Sequence, residues 1–332
     1  MPGAIVQAGN VLAAGIRATF WDIYQTSYNG IKEKLKNCME FGIPSDKLTE
    51  IYAYFESSPY PRLWRRGEAI TSKPFGSRQF TVTNRAWGGK VEWHEEDRED
   101  DQLQKLYQQA QLLGAHWGTL DERIFFQLLT GATDPLLLPA IPTAPDGANL
   151  YATTAGGAAR FGVTNGNLLT GGGVATPLAI QTDVFTCISR FLRFQDTEGQ
   201  PLLDAGILDR GYTLFYNPLN VENVTKAFQN NLVAIGANTA TSNAAIDNAL
   251  RVGGHKVEPV ATQRITDNDM FLFVNGIPRK PIFQQERRPM RSVIATMENS
   301  DVARATKIES VQFDSRAGYG LLVPYGTIEI NN

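Results

Sequence analysis

The chain has 332 residues, a length that predicts about two domains. Its 31 basic and 34 acidic side chains give a formal net charge of −3, which argues against nucleic-acid binding through a strongly basic face. The two cysteines, Cys38 and Cys187, exclude a disulfide scaffold and a multi-cysteine metal cage, and we expect both to be buried. We predict no membrane span, because no run of about 18 apolar residues occurs, and no signal peptide, because residues 1–15 have no basic start and no long apolar core. We also predict folding in a reducing cytosol.

Residues 1–57 are predicted to form an N-terminal arm of short helices. Apolar side chains recur at helical spacing through 28–41, Gly42 ends that helix, and a second helix is predicted over 47–55. Because the segment is rich in aromatic side chains, we expect it to pack on the rest of the chain or on a neighbour.

The next segment predicts a β-hairpin. Residues 80–83 and 91–93 alternate between apolar and polar side chains, which predicts two strands. Residues 84–89 between them, which include Gly88 and Gly89, are predicted to form the tip of the hairpin. An isolated hairpin is marginally stable in water, so we expect this one to contact a partner.

The acidic run 92–101 precedes the clearest element of the chain. Apolar side chains recur every three or four residues from Leu103 to Leu128, which predicts one amphipathic helix over 99–130. Negative charge suits its first turn because of the helix dipole, and Gly131 lies where a C-terminal cap belongs.

The remainder predicts a mixture of helices and strands. Residues 131–177 have loop composition with one short hairpin, and helices are predicted from Pro177 to Phe191 and from Pro218 to Phe228. A buried strand is predicted over 212–216, followed by short strands over 256–260, 270–274, 282–286, 292–296, 306–313 and 320–324.

Candidate chemistry is sparse. His94 precedes two glutamates, but Arg98 stands where a zinc-protease motif has its second histidine. The acidic run lacks the spacing and central glycine of a calcium loop, so we interpret it as a solvated helix start that meets basic residues across an interface. Phosphate-loop, nucleophile-elbow and Rossmann motifs are missing from the sequence, and we predict no catalytic residue, cofactor or metal. A metal-dependent hydrolase using His94 and its acidic neighbours is the alternative from another functional class.

Basic residues cluster around Trp64 and again over 279–291. Aromatic interleaving suits nucleic-acid stacking, but we favour a protein contact because the acidic run is a complementary surface. The predicted intersubunit contacts are Arg62, Arg65, Arg66, Trp87, Glu95, Glu96, Asp97, Arg287 and Arg288.

The order of these elements resembles the major capsid proteins of tailed phages with the Hong Kong 97-type fold. More narrowly, it resembles the Mu-like prophage major head subunit family over about residues 50–325. The N-terminal arm does not match. The matching motifs are Asn84-Arg85-Ala86-Trp87, Asp97 with Asp100-Asp101, Asp146-Gly147 with Leu150-Tyr151, Thr164-Asn165, Asp196 with Gly199 and Pro201-Leu202, Pro281-Ile282 with Gln285 and Arg287, and Gly318-Tyr319-Gly320.

The resemblance implies an α+β protein built from a peripheral and an axial domain. The implied divisions are an extended loop over 58–97, a peripheral domain over 98–175 with a spine helix over 99–130, an axial domain over 176–280, a return to the peripheral domain over 281–315, and a C-terminal end in the axial domain over 316–332.

The resemblance also implies a function. Copies of the chain would assemble through hexamers and pentamers into an icosahedral shell around a double-stranded DNA phage genome, without sequence-specific DNA binding. Scaffold, portal and decoration proteins would be partners, with assembly in the host cytoplasm and the product in the virion. An encapsulin-like compartment shell is the alternative with the same fold.

Some members of this fold cross-link a lysine to an asparagine. Lys73 and Lys90 lie in the loop, but no partner asparagine is identified and we predict no cross-link.

Overall fold

The computed structural model describes residues 3–57, 76–99, 103–229, 232–234, 245–247 and 255–332. The helices are α1 Gly3–Leu35, α2 Glu95–Glu99, α3 Leu103–Gly118, α4 Leu120–Thr130, α5 Pro177–Phe191, α6 Ala205–Leu208, α7 Val221–Gln229 and α8 Asp301–Thr306. The strands are β1 Met39–Pro44, β2 Thr49–Ser57, β3 Gly76–Thr83, β4 Arg85–His94, β5 Thr154–Ala155, β6 Ala158–Ala159, β7 Leu168–Thr170, β8 Tyr212–Tyr216, β9 Leu232–Ala234, β10 Ala245–Asp247, β11 Val257–Ala261, β12 Met270–Val274, β13 Ile282–Ala295, β14 Ile308–Leu321 and β15 Thr327–Asn331.

A four-stranded sheet with the order β1-β13-β14-β4 runs the length of one half of the subunit. Its two central strands each contain 14 residues and pair in antiparallel fashion, so the ribbon they form is about 45 Å long. β4 pairs antiparallel with β14, and β1 pairs parallel with β13. The separate short strands predicted over 282–324 are thus two long strands, interrupted in β13 by register shifts between Glu286 and Arg291.

α1 and α3 pack together over one end of this sheet. Phe20 of α1 is fully buried and stacks on Phe313 of β14, with ring centroids 3.5 Å apart. Trp93 of β4 and Trp117 of α3 belong to the same core. The long first helix is therefore part of the subunit's own core over these residues.

A five-stranded sheet with the order β11-β8-β12-β15-β7 forms the other half. Every residue of β8 and β12 is buried, which matches their uninterrupted apolar sequences. α5 and α7 contribute to the core on one face of this sheet, and α4 covers the other face, where Phe125 meets Phe215 and Phe273. The core around α4 also includes Ile282 and other side chains of the four-stranded sheet, so it joins the two sheets.

The prediction of short helices over 1–57 was wrong. Residues Gly3–Leu35 form one helix, and the segment predicted as the second helix is strand β2. In β2, Ile51 and Ala53 are exposed whereas Tyr52 and Tyr54 are half-buried, an alternation of period two that favours a strand. Aromatic and β-branched side chains add to that preference.

The prediction that β3 pairs with β4 was also wrong. β3 pairs antiparallel with β2, from Thr83 opposite Thr49 to Gly76 opposite Ser57, while β4 pairs with β14. Only Asn84 separates β3 from β4, which is too short a connection for a hairpin turn between them. Alternation located both strands but carries no information about their partners.

Other predictions were confirmed or refined. The helix predicted over 99–130 corresponds to α3 and α4, which are interrupted at Thr119. Glu99 is the last residue of α2, and residues 100–102 lie outside the described residues. Gly131 caps α4 in the left-handed conformation, at φ 66°. Thr176 caps α5 by accepting a hydrogen bond from the Ala179 amide at 3.2 Å. The short hairpin predicted within 131–177 is β5–β6. Among the described residues, helices lack the length and apolar character needed to cross a bilayer.

Candidate assembly site

The β2–β3 hairpin is a two-stranded sheet separate from the four-stranded and five-stranded sheets. Its eight paired positions correspond to about 27 Å of strand. One face carries half-buried Tyr52 and Phe80, whereas Ile51 on the other face is 66% exposed. Such a two-stranded element is marginally stable alone, and the exposed Ile51 side chain is available for a contact with another molecule.

The hairpin is anchored to the four-stranded sheet through aromatic packing. Tyr52 meets Phe283 of β13 edge-on at 5.2 Å between ring centroids, and it stacks on Phe80 at 5.5 Å. Val82 of β3 is buried next to Gly320 of β14, where an added Cβ would lie 2.7 Å from Val82 Cγ2. The near end of the hairpin thus has a fixed seat on the sheet.

The Gly318-Tyr319-Gly320 motif has two distinct roles in this seat. A Cβ on Gly318 would lie 2.9 Å from the Thr83 carbonyl oxygen, so both glycines leave room for the hairpin. Because successive residues of a strand point to opposite faces, Tyr319 points the other way and donates a hydrogen bond to the buried Asp121 of α4. Burial raises the pKa of the Asp121 carboxyl to about 6, against the lowering effect of the Tyr319 hydrogen bond.

The predicted contact residues that the structure describes lie on three different elements, β4, α2 and β13. Arg62, Arg65 and Arg66 lie outside the described residues. Trp87 is half-buried on β4, and its indole N–H donates to the Ala317 carbonyl at 3.3 Å, which gives it a role inside the subunit. The contacts of the nine predicted residues with another subunit stay a prediction.

Glu95, Glu96 and Asp97 form the first turn of α2 at the far end of the same sheet. Asp97 accepts a hydrogen bond from the His94 amide at 3.0 Å, as the third residue of a helix does in a capping box. Glu95 pairs with Lys307 at 3.6 Å, while Glu96 is exposed. Part of the acidic run is therefore neutralised by a basic residue of its own chain.

Arg287 and Arg288 lie on β13, where its register with β14 shifts. Arg288 and Arg291 both form ion pairs with the buried Asp314 of β14. Arg288 therefore holds the two long strands together across the irregularity, while Arg287 is half-buried beside it.

Sequence reasoning missed one buried ionic group, the pair Arg160 and Asp146. The Arg160 guanidinium donates to both Asp146 carboxylate oxygens, at 2.7 and 3.0 Å, and to the Asn167 side-chain oxygen at 2.9 Å. It also donates to the carbonyls of Asn149 and Leu150. The Asp146-Gly147 motif marks this neighbourhood, but no pattern marks Arg160 itself as buried.

The described residues offer no assembled catalytic constellation. They contain no group of three or more His, Cys, Asp or Glu side chains placed to hold a metal ion. His116 and His255 are exposed on separate elements, and His94 is half-buried on β4. Both cysteine thiols are fully buried, and burial raises their pKa values, which makes them poor nucleophiles.

Comparison with known sequences identifies two related families. The profile of the family described as phage capsid protein matches residues 79–330. The profile described as Mu-like prophage major head subunit gpT matches residues 13–139. The second match includes α1, which the sequence motifs did not relate to that family. No curated protein sequence matches the chain.

Solved structures share the fold at low sequence identity. The structure described as Mycobacterium phage Patience aligns with a TM-score of 0.55 and 12% identity, covering 96% of this chain and 87% of that one. The capsid of a native GTA particle aligns with a TM-score of 0.55 and 11% identity, covering 90% of each chain. The capsid of the cyanophage P-SCSP1u aligns with a TM-score of 0.51 and 13% identity, covering 90% and 87%. The α+β architecture described above is therefore the Hong Kong 97-type capsid fold.

Proposed function

This chain belongs to the phage capsid protein family, and from that membership we propose that its copies close into an icosahedral shell around a double-stranded DNA genome. The protein is a major capsid subunit, a structural component of a virion and not an enzyme. The observation that carries the proposal is the family match over residues 79–330, which includes β4, β13 and β14 of the four-stranded sheet and almost all of the five-stranded sheet.

We assign the parts of the subunit to roles in the shell as follows. The four-stranded sheet with α3 and α4 forms the peripheral domain, and the five-stranded sheet with α5 and α7 forms the axial domain, at the centres of hexamers and pentamers. The described part of the extended element is strands β2 and β3, and β4, which the resemblance placed in the loop over 58–97, is not part of it. The pairing of β4 with β14 supports this change, because it makes β4 part of the sheet.

We further propose that the shell confines DNA without binding a sequence. A formal net charge of −3 supports this, because a mildly acidic chain has no net electrostatic attraction for a polyanion. Scaffold, portal and decoration proteins are the proposed partners, and assembly takes place in the host cytoplasm.

Electron microscopy of the purified protein tests the proposal. We expect closed particles of uniform diameter, and particles from infected or induced cells should hold nuclease-protected double-stranded DNA. Particles that contain a protein cargo and no DNA would instead support the encapsulin-like alternative. A chain that stays monomeric at every concentration would contradict both.

Shortening the hairpin tests its role. Residues 54–78 are replaced by Asn-Gly, which joins the paired residues Ala53 and Gln79 by a two-residue turn and keeps Tyr52 and Phe80 in place. We expect a folded subunit that forms no shells.

A matched pair of point variants controls for surface charge. Ile51→Glu alters the exposed face of the hairpin, and Leu136→Glu alters a loop residue that is 89% exposed. We expect only Ile51→Glu to impair assembly. Equal assembly by the two variants would argue against hairpin contacts between subunits.

A further inference from the structure

Three sequence motifs that are far apart in the chain converge at the root of the β2–β3 hairpin. Asn84 comes from the first motif, Gln285 from the second and Gly318 from the third. Asn84 and Gln285 are 2% and 0% exposed, and the Gln285 side-chain N–H donates to the Asn84 side-chain oxygen at 3.0 Å. We refer to these two residues as the amide pair.

Asn84 ties the amide pair to the segment that leads into β2. Its side-chain nitrogen donates to the Ser45 hydroxyl and to the Lys47 carbonyl, each at 2.7 Å. Its backbone amide donates to the Leu48 carbonyl at 2.8 Å. Asn84 is also the single residue between β3 and β4. It therefore links the end of β3 to the segment immediately before β2.

Gln285 ties the amide pair to both hairpin strands. Its side-chain nitrogen donates to the Val82 carbonyl of β3 at 3.1 Å, in addition to Asn84. Its side-chain oxygen accepts a hydrogen bond from the Tyr52 hydroxyl of β2 at 2.7 Å. Every polar side-chain atom of the amide pair therefore has a partner, which fixes the orientation of both amides.

The angle of the hairpin is sensitive to this arrangement. The hairpin extends about 27 Å, so a rotation of about 10° at the root moves its far end by roughly 5 Å. A displacement of that size is large compared with the fit that packed interfaces require. The buried amides allow little rotation, because breaking one bond leaves a buried polar group unsatisfied.

We propose that the amide pair, with Tyr52, is a positioning device that sets the angle of the β2–β3 hairpin and thereby the curvature of the shell. This inference rests on the proposed function. In this proposal Asn84 and Gln285 control the angle between neighbouring subunits, in addition to stabilising the subunit itself.

Tyr52→Phe is the decisive variant, because it removes one hydrogen bond to Gln285 and keeps the packing of the ring. Tyr151→Phe is the matched control. Its hydroxyl also makes one side-chain hydrogen bond, to Thr327 at 3.0 Å, but it lies away from the hairpin. We expect Tyr52→Phe to at least double the spread of particle diameters seen by electron microscopy. We expect Tyr151→Phe to keep the diameters of the unmodified protein.

Hydrogen exchange on the unassembled subunit supplies a readout that does not need shells. Amides of 49–57 and 76–83 should exchange about fivefold faster in Tyr52→Phe than in Tyr151→Phe, since one hydrogen bond is lost at the root. Unchanged exchange there would overturn the positioning role, whatever the particles look like. Particles of normal diameter from Tyr52→Phe, or equal broadening in both variants, would overturn the control of curvature. Failure of the unmodified protein to form shells would instead contradict the proposed function.

Discussion

Gly118 of α3 lies so close to Ser27 of α1 that a methyl group on the glycine would lie 2.4 Å from the serine Cβ. One turn earlier, a methyl group on Gly114 would lie 2.8 Å from the Phe20 carbonyl oxygen. The two glycines form a groove along α3, and α1 lies in it. The long first helix is therefore held by backbone-to-backbone approach as well as by its aromatic side chains.

Gly118→Ala should destabilise the subunit. Overpacking costs about 1–3 kcal/mol, which exceeds the gain of up to about 1 kcal/mol from replacing glycine by alanine in a helix. The free energy of unfolding, measured by urea titration of the unassembled subunit, should fall by about 1–2 kcal/mol. Gly30→Ala is the control, because an added Cβ there meets nothing within 4 Å, and it should leave stability unchanged or raise it. Equal effects of the two substitutions would contradict the close approach.

Arg160→Met should cost the subunit about 3 kcal/mol, because it leaves the Asp146 carboxylate without its buried cation and the Asn149 carbonyl without its buried donor. Urea titration measures the loss. Arg123→Met serves as the comparison, since Arg123 is 3.9 Å from Asp134 and its side chain is 40% exposed. That surface pair should contribute less than about 1 kcal/mol. Similar losses in both variants would contradict a larger contribution from the buried pair than from the surface pair.

The buried Asp121 predicts a pH dependence of stability. Its pKa in the folded subunit, about 6, lies above the ordinary value of 3.8, so the fold favours the protonated acid. The corresponding stabilisation is complete below about pH 4, decreases as the pH rises and is lost above about pH 6, a change of roughly 3 kcal/mol.

Asp121→Asn should flatten this decrease in the free energy of unfolding between pH 4 and pH 6. A residual slope should persist, because burial also raises the pKa of Glu329, to about 7. Asp301→Asn, at a side chain that is 95% exposed, controls for the loss of a carboxylate and should keep the full slope. An unaltered pH profile in Asp121→Asn would show that Asp121 does not cause the fall in stability between pH 4 and pH 6.

Cys38 and Cys187 should be inert toward an aromatic disulfide reagent in the native subunit. Both have no exposed surface, and burial disfavours the reactive thiolate. Absorbance of the released thiol should show no rapid reaction in buffer and two thiols per chain in denaturant. Rapid labelling of the native subunit at the denatured rate would contradict the packing of both cores.

The sequence predicts local features of this fold well. The periodicity of α3 and α4 and the uninterrupted apolar strands β8 and β12 are properties of neighbouring residues. Partner choice depends on residues far apart in the chain, so alternation alone could not distinguish a β3–β4 hairpin from the observed pairing of β3 with β2. The prediction of a helix at β2 was wrong for a related reason. Tyr52 of β2 packs on Phe283 of β13, which is more than 200 residues away in the chain, and no local pattern indicates that contact.

The candidate site shows the same limit. Asn84, Gln285 and Gly318 could each be selected from a motif that resembles a capsid family. Their meeting at one point depends on contacts across about 200 residues, such as the bond from Gln285 to Asn84. The interfacial contacts proposed for the charged residues depend on a second copy of the chain and are predictions still to be tested.

The core around α4 has a mechanical consequence. Side chains from both sheets meet there, so neither sheet has an apolar interior of its own on that side. Loosening one sheet exposes part of the packing of the other, and heating the isolated subunit should melt both together in one calorimetric transition. A force applied at the hairpin seat on β13 and β14 would reach the five-stranded sheet through this shared core.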